Sequence, residues 1–293
     1  MNKLLGTVLT SALTISLLAG CGTSTSSKKK VGIIQFMDHT SLNEIKDSFD
    51  KEMKTLGYDD KNIEYTFKNG QGDTNTCASI ANDFAGKSFD CVMAIATPAA
   101  QAVAKLATKT PVVFSAVTDP VGAQLTSSLS KPDKNITGTS DEVQVDQIID
   151  KALEINPNTK TIGMLYNKGE ANSVTNIKKA KAYCAKKNIK IEEATIASVN
   201  EAQSAVNVLN SKCDAIFAPN DNTVASAMNV VSDACKKANK PLYVGADSMV
   251  KDGGFLSVGI DYKELGKETA KIVDKVLKLS LIHISEPTRP ISI

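Results

Sequence analysis

One pattern, written twice, narrows the folds open to this chain. Asp90-Cys91-Val92-Met93-Ala94-Ile95 is a short apolar run, Ala96-Thr97 breaks it, and Pro98-Ala99-Ala100-Gln101-Ala102-Val103-Ala104 reads as a helix. Pro is favoured at the first position of a helix, where its missing N–H would have had no partner. The helix start offers free backbone N–H groups and a positive dipole end, beside the Thr97 hydroxyl, and so suits an anion such as a carboxylate. Ala215-Ile216-Phe217-Ala218-Pro219-Asn220-Asp221-Asn222-Thr223-Val224-Ala225-Ser226-Ala227 repeats the arrangement. Either corner alone is as compatible with an ordinary strand-to-helix turn. Together they predict two similar lobes facing one ligand.

The rest of the chain alternates in the same way. Val31-Gly32-Ile33-Ile34-Gln35-Phe36 is a continuous apolar run, expected of a parallel strand covered on both faces. Leu42, Ile45, Phe49, Met53 and Leu56 follow at helical spacing and Gly57 ends the helix. Strands are predicted at Ile63–Phe67 and Pro111–Val117, and a helix capped by Thr74 reaches about Gly86. The polar segment Asn135–Ser140 is expected to make the first crossing between lobes, before a helix from about Val143 to Leu153.

Thr161-Ile162-Gly163-Met164-Leu165-Tyr166 then echoes the opening run, and the order repeats. Its helices are expected at Ala171–Lys187, Glu201–Leu209 and Val224–Ala238, and its strands at Ile189–Ala194 and Pro241–Asp247. Leu256–Asp261 is the predicted last strand and Tyr262–Leu277 the last helix. Strand–helix alternation of this kind gives parallel, doubly wound sheets. In such sheets ligands sit outside the carboxyl ends of the strands.

The two ends differ from this body. Lys3, the apolar stretch Leu4–Leu18 and Leu18-Ala19-Gly20-Cys21 have the parts of an export signal. The last four residues resemble the lipobox of bacterial lipoproteins, which implies cleavage before Cys21 and lipidation on it. Residues 1–20 are therefore expected to be a signal peptide, and 21–30 a lipidated, Ser/Thr/Lys-rich tether. The first lobe is expected to hold 31–136 with 261–278, and the second 137–260. From Leu279 onward the composition changes: the only Arg of the chain is Arg289, and His283 is one of two His. That stretch resembles translated sequencing-adapter read-through, so 279–293 is read as a non-native tail and set aside, a genuine short tail being the alternative.

Composition excludes several functions. A net charge of +2 leaves no footprint for nucleic acid. Cys77, Cys91, Cys184, Cys213 and Cys235 show no close metal-ligand pairing, and their odd number on an exported chain argues against a full disulfide framework. There is no G-x-S-x-G elbow, and His39 is the one His before the tail. No enzyme, catalytic residue, metal or cofactor is expected.

Laid out in order, the motifs resemble those of extracytoplasmic solute-binding proteins of ABC transporters, in the subfamily associated with tryptophan, tyrosine or phenylalanine uptake. The residues that carry the resemblance are Gly32–Phe36 with His39, Gln71-Gly72-Asp73, Ala94–Gln101, Ala116–Ala123, Thr161-Ile162-Gly163, Tyr166-Asn167, Asn172-Ser173, Pro219–Val224 and Gly259–Tyr262. The resemblance implies a two-lobed, periplasmic-binding-protein-like α/β fold (type I) that closes on an aromatic amino acid. It further implies delivery to an ABC permease by a membrane-anchored monomer.

A free amino acid needs donors for its carboxylate, an anion for its ammonium and a fit for its side chain. The candidates for the carboxylate are Thr97 and Pro98 at the helix start, helped by Ser115 and Thr118. For the ammonium they are Asp221 or Asp247. Phe36 or Tyr166 would meet an aromatic ring, although both could equally be core, and Asn167, Asn172, Asn220 and Asn222 would fix polar atoms. Asp119, before Pro120, is as readily a turn former as a contact, and Asn172 as readily a helix cap. Two other readings stay open: a tethered sensor for a membrane signalling partner, and a receptor for a sugar or nucleoside. The absence of Trp, and of Arg outside the tail, weighs against a sugar site.

Overall fold

The computed structural model describes residues 28–131 and 133–278. The expected signal peptide, the lipidation at Cys21 and the stretch from 279 onward lie outside the described residues. Lys29 and Lys30, expected in the tether, instead open the first strand.

Five parallel strands make the first sheet: β1 (Lys29–Gln35), β2 (Ile63–Asn69), β3 (Cys91–Ile95), β4 (Val112–Ser115) and β5 (Ile136–Gly138), in the order β2-β1-β3-β4-β5. Every residue of β3 and β4 is buried, which explains their unbroken apolar sequence: helices cover both faces. β2 lies at an edge and exposes Glu64 and Lys68, charges that discourage pairing with another chain. Helices α1 (Thr40–Thr55), α2 (Thr74–Ala85) and α3 (Thr97–Val103) connect the first four strands. The helix opening at Thr97 is only seven residues long and tightens into a 3-10 turn at Ala104–Thr108. The cap of α2 is Asp73 and not Thr74, its carboxylate accepting from the Asn75 N–H at 2.8 Å.

The second sheet repeats the winding with α4 (Val145–Ile155), β6 (Thr161–Tyr166), α5 (Ala171–Lys186), β7 (Lys190–Thr195), α6 (Ala202–Asn210) and β8 (Ala215–Ala218). It continues through α7 (Asn222–Ser226), α8 (Met228–Lys237), β9 (Leu242–Val244) and α9 (Asp247–Lys251), with strand order β7-β6-β8-β9. The helix expected over Val224–Ala238 is two helices, broken at Ala227. In each sheet the strand order reverses beside its first strand, between β1 and β3 and between β6 and β8, where α/β sheets form ligand crevices.

Two crossings differ from their expected form. Ile136–Gly138 pairs with β4 as a fifth strand, so the passage to the second lobe follows it, over 139–144. The predicted strand Leu256–Asp261 is not one: Leu256 makes a single bridge to Tyr243, and the chain then returns to α10 (Tyr262–Lys278). This helix packs along α1 and over β3 and β4, returning the chain to the first lobe. Gly266 allows the approach, because a Cβ there would strike the Ile45 carbonyl and the Ser48 hydroxyl of α1. Two doubly wound parallel sheets in two lobes thus match the fold class read from the sequence.

Candidate ligand-binding cleft

The carboxyl ends of the two sheets face each other and enclose a cavity of about 10 Å³. Space of that size holds about one water, so anything as large as an amino acid enters only when the lobes part. The first lobe and its crossings contribute His39, Ser41, Leu42, Ala96, Thr97, Ala116, Asp141 and Tyr262 to its wall. The second contributes Asn172, Asn220, Asp221, Asn222, Ala225 and Met249.

Local backbone geometry opens this end of the first lobe. Ala96 and Ala116, immediately after β3 and β4, hold φ of 80° and 56°. A non-glycine residue at positive φ costs on the order of 1–3 kcal/mol, and such residues concentrate at functional sites. Opposite them, Gly245 lets β9 come against the backbone of Pro219 and Asn220, which a Cβ would strike, and so seats the loop after β8.

Among the described residues, three polar atoms of the cavity wall are buried without a partner: Thr97 Oγ1, Asn172 Oδ1 and His39 Nδ1. Leaving such groups unpaired costs about 1–3 kcal/mol each, and a ligand with complementary groups would recover that cost. Asp141, on the first crossing, is buried among neutral donors. Its carboxylate accepts from Thr118 Oγ1 at 2.8 Å, Asn220 Nδ2 at 2.7 Å and the Tyr262 hydroxyl at 3.1 Å. Among the described residues no lysine pairs with it, and burial pushes its carboxyl above the usual range. Burial also pushes the Tyr262 phenol well up.

A second acidic group lies deeper in the second lobe. Asp221 caps α7, accepting from the Val224 N–H at 2.8 Å, and holds the Asn167 N–H and the Ser173 hydroxyl, each at 2.6 Å. Glu170, also buried, accepts from the Asn222 and Thr223 N–H groups at 3.1 and 3.0 Å. It further accepts from Asn222 Nδ2 at 2.5 Å and the Thr223 hydroxyl at 2.8 Å. Burial and the neighbouring Asp221 carboxylate raise Glu170 to about 7.

Of the residues expected from the sequence, Thr97, Asn172, Asn220, Asp221 and Asn222 line the cavity. Thr118 stands behind them, bonded to Asp141 and Asn220. Pro98 is buried in the first turn of α3. The others lie elsewhere. Phe36 is core, and Ser115 bonds Thr269 of α10 at 2.8 Å. Asp119 closes its own turn on the Gly122 N–H, and the Tyr166 hydroxyl donates outward to Glu193 at 2.9 Å. Asp247 pairs with Lys251 one helical turn on, at 3.1 Å. Asp141, Glu170, His39 and Tyr262 were not among the expected site residues. Tyr262 stood at the end of Gly259–Tyr262 and His39 beside Gly32–Phe36, but Asp141 and Glu170 carried no local signal.

Hydrogen bonds cross the cleft. His39 Nε2 meets Asn222 Oδ1 at 3.1 Å, the Ser41 and Ser248 hydroxyls meet at 2.5 Å, and Asn220 Nδ2 reaches Thr118 Oγ1 at 2.9 Å. At the rim, Lys251 pairs with Glu44 at 3.0 Å.

Known proteins are similar to this chain in sequence and fold. The chain is 33% identical over 291 residues to a tyrosine-binding protein of Clostridioides difficile, covering 94% of this chain and 84% of that one. A Streptococcus pneumoniae ABC domain solved in complex with L-Trp is 38% identical, with a TM-score of 0.86 over 90% of this chain and 89% of that one. The ligand-free, open structure of a substrate-binding protein with adhesive properties from Clostridium difficile is 36% identical, covers 89% of both chains and overlaps less, with a TM-score of 0.66. Here the lobes stand closed, as the cross-cleft bonds and the cavity of about 10 Å³ show. The family model for ABC transporter substrate binding proteins matches residues 30–281, and the chain belongs to that family.

Proposed function

We propose that the protein is an extracytoplasmic receptor, anchored by a lipid on Cys21, that closes on an aromatic amino acid and delivers it to an ABC permease. The observation that carries the reading is the complementarity of the cleft to a zwitterion. The start of α3, with the unpartnered Thr97 hydroxyl, offers donors to a carboxylate. Asp141, with the unpartnered Asn172 carbonyl across the cleft, offers a charged partner and an acceptor to an ammonium. A buried charge needs such a partner, and Asp141 otherwise has only neutral ones. Ala96, Ala116 and Ala225, with Leu42, Met249 and Tyr262, give the wall the apolar surface that an aromatic ring would meet once the lobes part to admit it. The tyrosine-binding and L-Trp-bound relatives support the ligand class.

Isothermal titration of the mature protein with all twenty amino acids and a sugar set tests this. Tyrosine, tryptophan or phenylalanine should bind, and Asp141→Asn, which keeps the size but removes the charge, should weaken binding by about 100-fold or more. Binding of sugars alone would retire the amino-acid assignment. For the anchor, Cys21→Ser should release the protein from cell membranes into the medium, as read by fractionation.

A further inference from the structure

We infer that His39 is a hydrogen-bond acceptor reserved for a donor on the ligand's side chain, so that the cleft favours phenol- and indole-bearing amino acids over phenylalanine. This rests on the amino-acid receptor reading above. The chain of bonds begins at Glu170, whose two oxygens face the backbone N–H groups of Asn222 and Thr223 and so act as acceptors. A proton on Glu170 has the Thr223 hydroxyl as its acceptor at Oε1, so Oε2 receives both the Asn222 N–H and Nδ2, the latter at 2.5 Å, and the amide turns its Oδ1 toward the other lobe. An amide oxygen only accepts, so His39 Nε2, 3.1 Å away, must be the nitrogen that carries the proton. Burial holds the imidazole down to about 4, so the ring is neutral and has no second N–H.

Nδ1 is thus a bare lone pair. It is shielded from solvent and has no partner among the described residues, and its ring stands between the cleft and a neighbouring cavity of about 140 Å³ lined by Asp38, Thr40, Asn229 and Asp252. A ligand seated against the ring in the cleft brings the missing donor. The ammonium's three N–H groups would be met by the two Asp141 oxygens and Asn172 Oδ1, and a carboxylate has no proton to give. The remaining donors are on the side chain: a phenol O–H or an indole N–H. Phenylalanine has neither and leaves the lone pair buried and unpaired.

Titration calorimetry with tyrosine, tryptophan, phenylalanine and 4-fluorophenylalanine tests the assignment on the unaltered mature protein. Tyrosine or tryptophan should bind at least about tenfold tighter than phenylalanine, and 4-fluorophenylalanine, which fills the para position without a donor, as weakly as phenylalanine. In His39→Leu the preference should fall to about twofold or less, with phenylalanine still bound. His39→Gln supplies a donor for Asn222 and an acceptor for the ligand, and should restore part of the preference. Phenylalanine or its fluoro analogue binding the wild type as tightly as tyrosine and tryptophan would overturn the inference. So would a loss in His39→Leu that is equal for all ligands and leaves the preference intact, because the lost Asn222 bond or the shared ammonium would then account for the effect. If no aromatic amino acid binds the wild type, the receptor reading itself fails.

Discussion

Asp141 and Asp221 share a residue type, burial and a place on the cavity wall, yet their surroundings assign them different work. Asp221 is consumed by its own lobe, capping α7 and pinning Asn167 and Ser173. Asp141 joins the two lobes and the last helix, its carboxylate accepting from the side chains of Thr118, Asn220 and Tyr262. Glu170 and His39, connected through Asn222, titrate in opposite directions. Glu170 at about 7, against 4.5 ordinarily, keeps a proton in the folded state that the unfolded chain has released, so its contribution to stability grows as pH falls from about 7 to 4.5. His39 at about 4, against 6.5, stays neutral where the unfolded chain is charged, so its contribution is lost as pH falls from about 6.5 to 4. The two offset each other across their shared window. Removing one exposes the other: between pH 7 and 5, Glu170→Gln should lose melting temperature more steeply than wild type, and His39→Gln less steeply. Differential scanning calorimetry over that range reads both slopes.

At the scale of elements, helix packing depends on small residues at defined places. Gly266 brings α10 against α1, and Gly266→Ala must push Ile45 or Ser48 aside. An overpacked contact of this kind costs about 1–3 kcal/mol, which a urea melt followed by circular dichroism would show as a lower midpoint with an unchanged slope. Gly245→Ala should act on the site by displacing Pro219 and Asn220, weakening ligand binding more than it lowers stability. The elements themselves were legible because their signals are local: β3 into Thr97-Pro98, and β8 into Pro219 to Thr223, are punctuated by proline and by polar residues at the turn. What escaped the sequence was assembled by packing across distance. Asp141 lies on an irregular crossing, and Glu170 meets Asn222 and Thr223 only because β6 and β8 are neighbours. Phe36 and Tyr166 sit at matching strand ends, but one is absorbed by the core and the other turns outward to Glu193. Position along a strand did not determine which way either side chain faced.

For the whole molecule, the closed state rests on a few polar bonds. Those joining His39 to Asn222, Ser41 to Ser248 and Asn220 to Thr118 each contribute about 1 kcal/mol net, and the exposed Lys251–Glu44 pair less. A sum of a few kcal/mol is the size of gap that a ligand's own contacts can tip. Small-angle scattering should therefore show the molecule contract when an aromatic amino acid is added. Asn222→Ala should shift the unliganded protein toward the wider form, whereas Lys251→Ala should leave it nearly unchanged. The path of the chain has a further consequence, for biogenesis. The 17 residues of α10 complete the first lobe but follow the entire second lobe in sequence. A polypeptide made and exported N-terminus first can finish its second lobe while Ile45 and Ser48 of α1 still await the helix that packs on them. The half that is synthesised first is the half that matures last, and in that interval its unshielded α1 face is the surface open to chaperones and proteases.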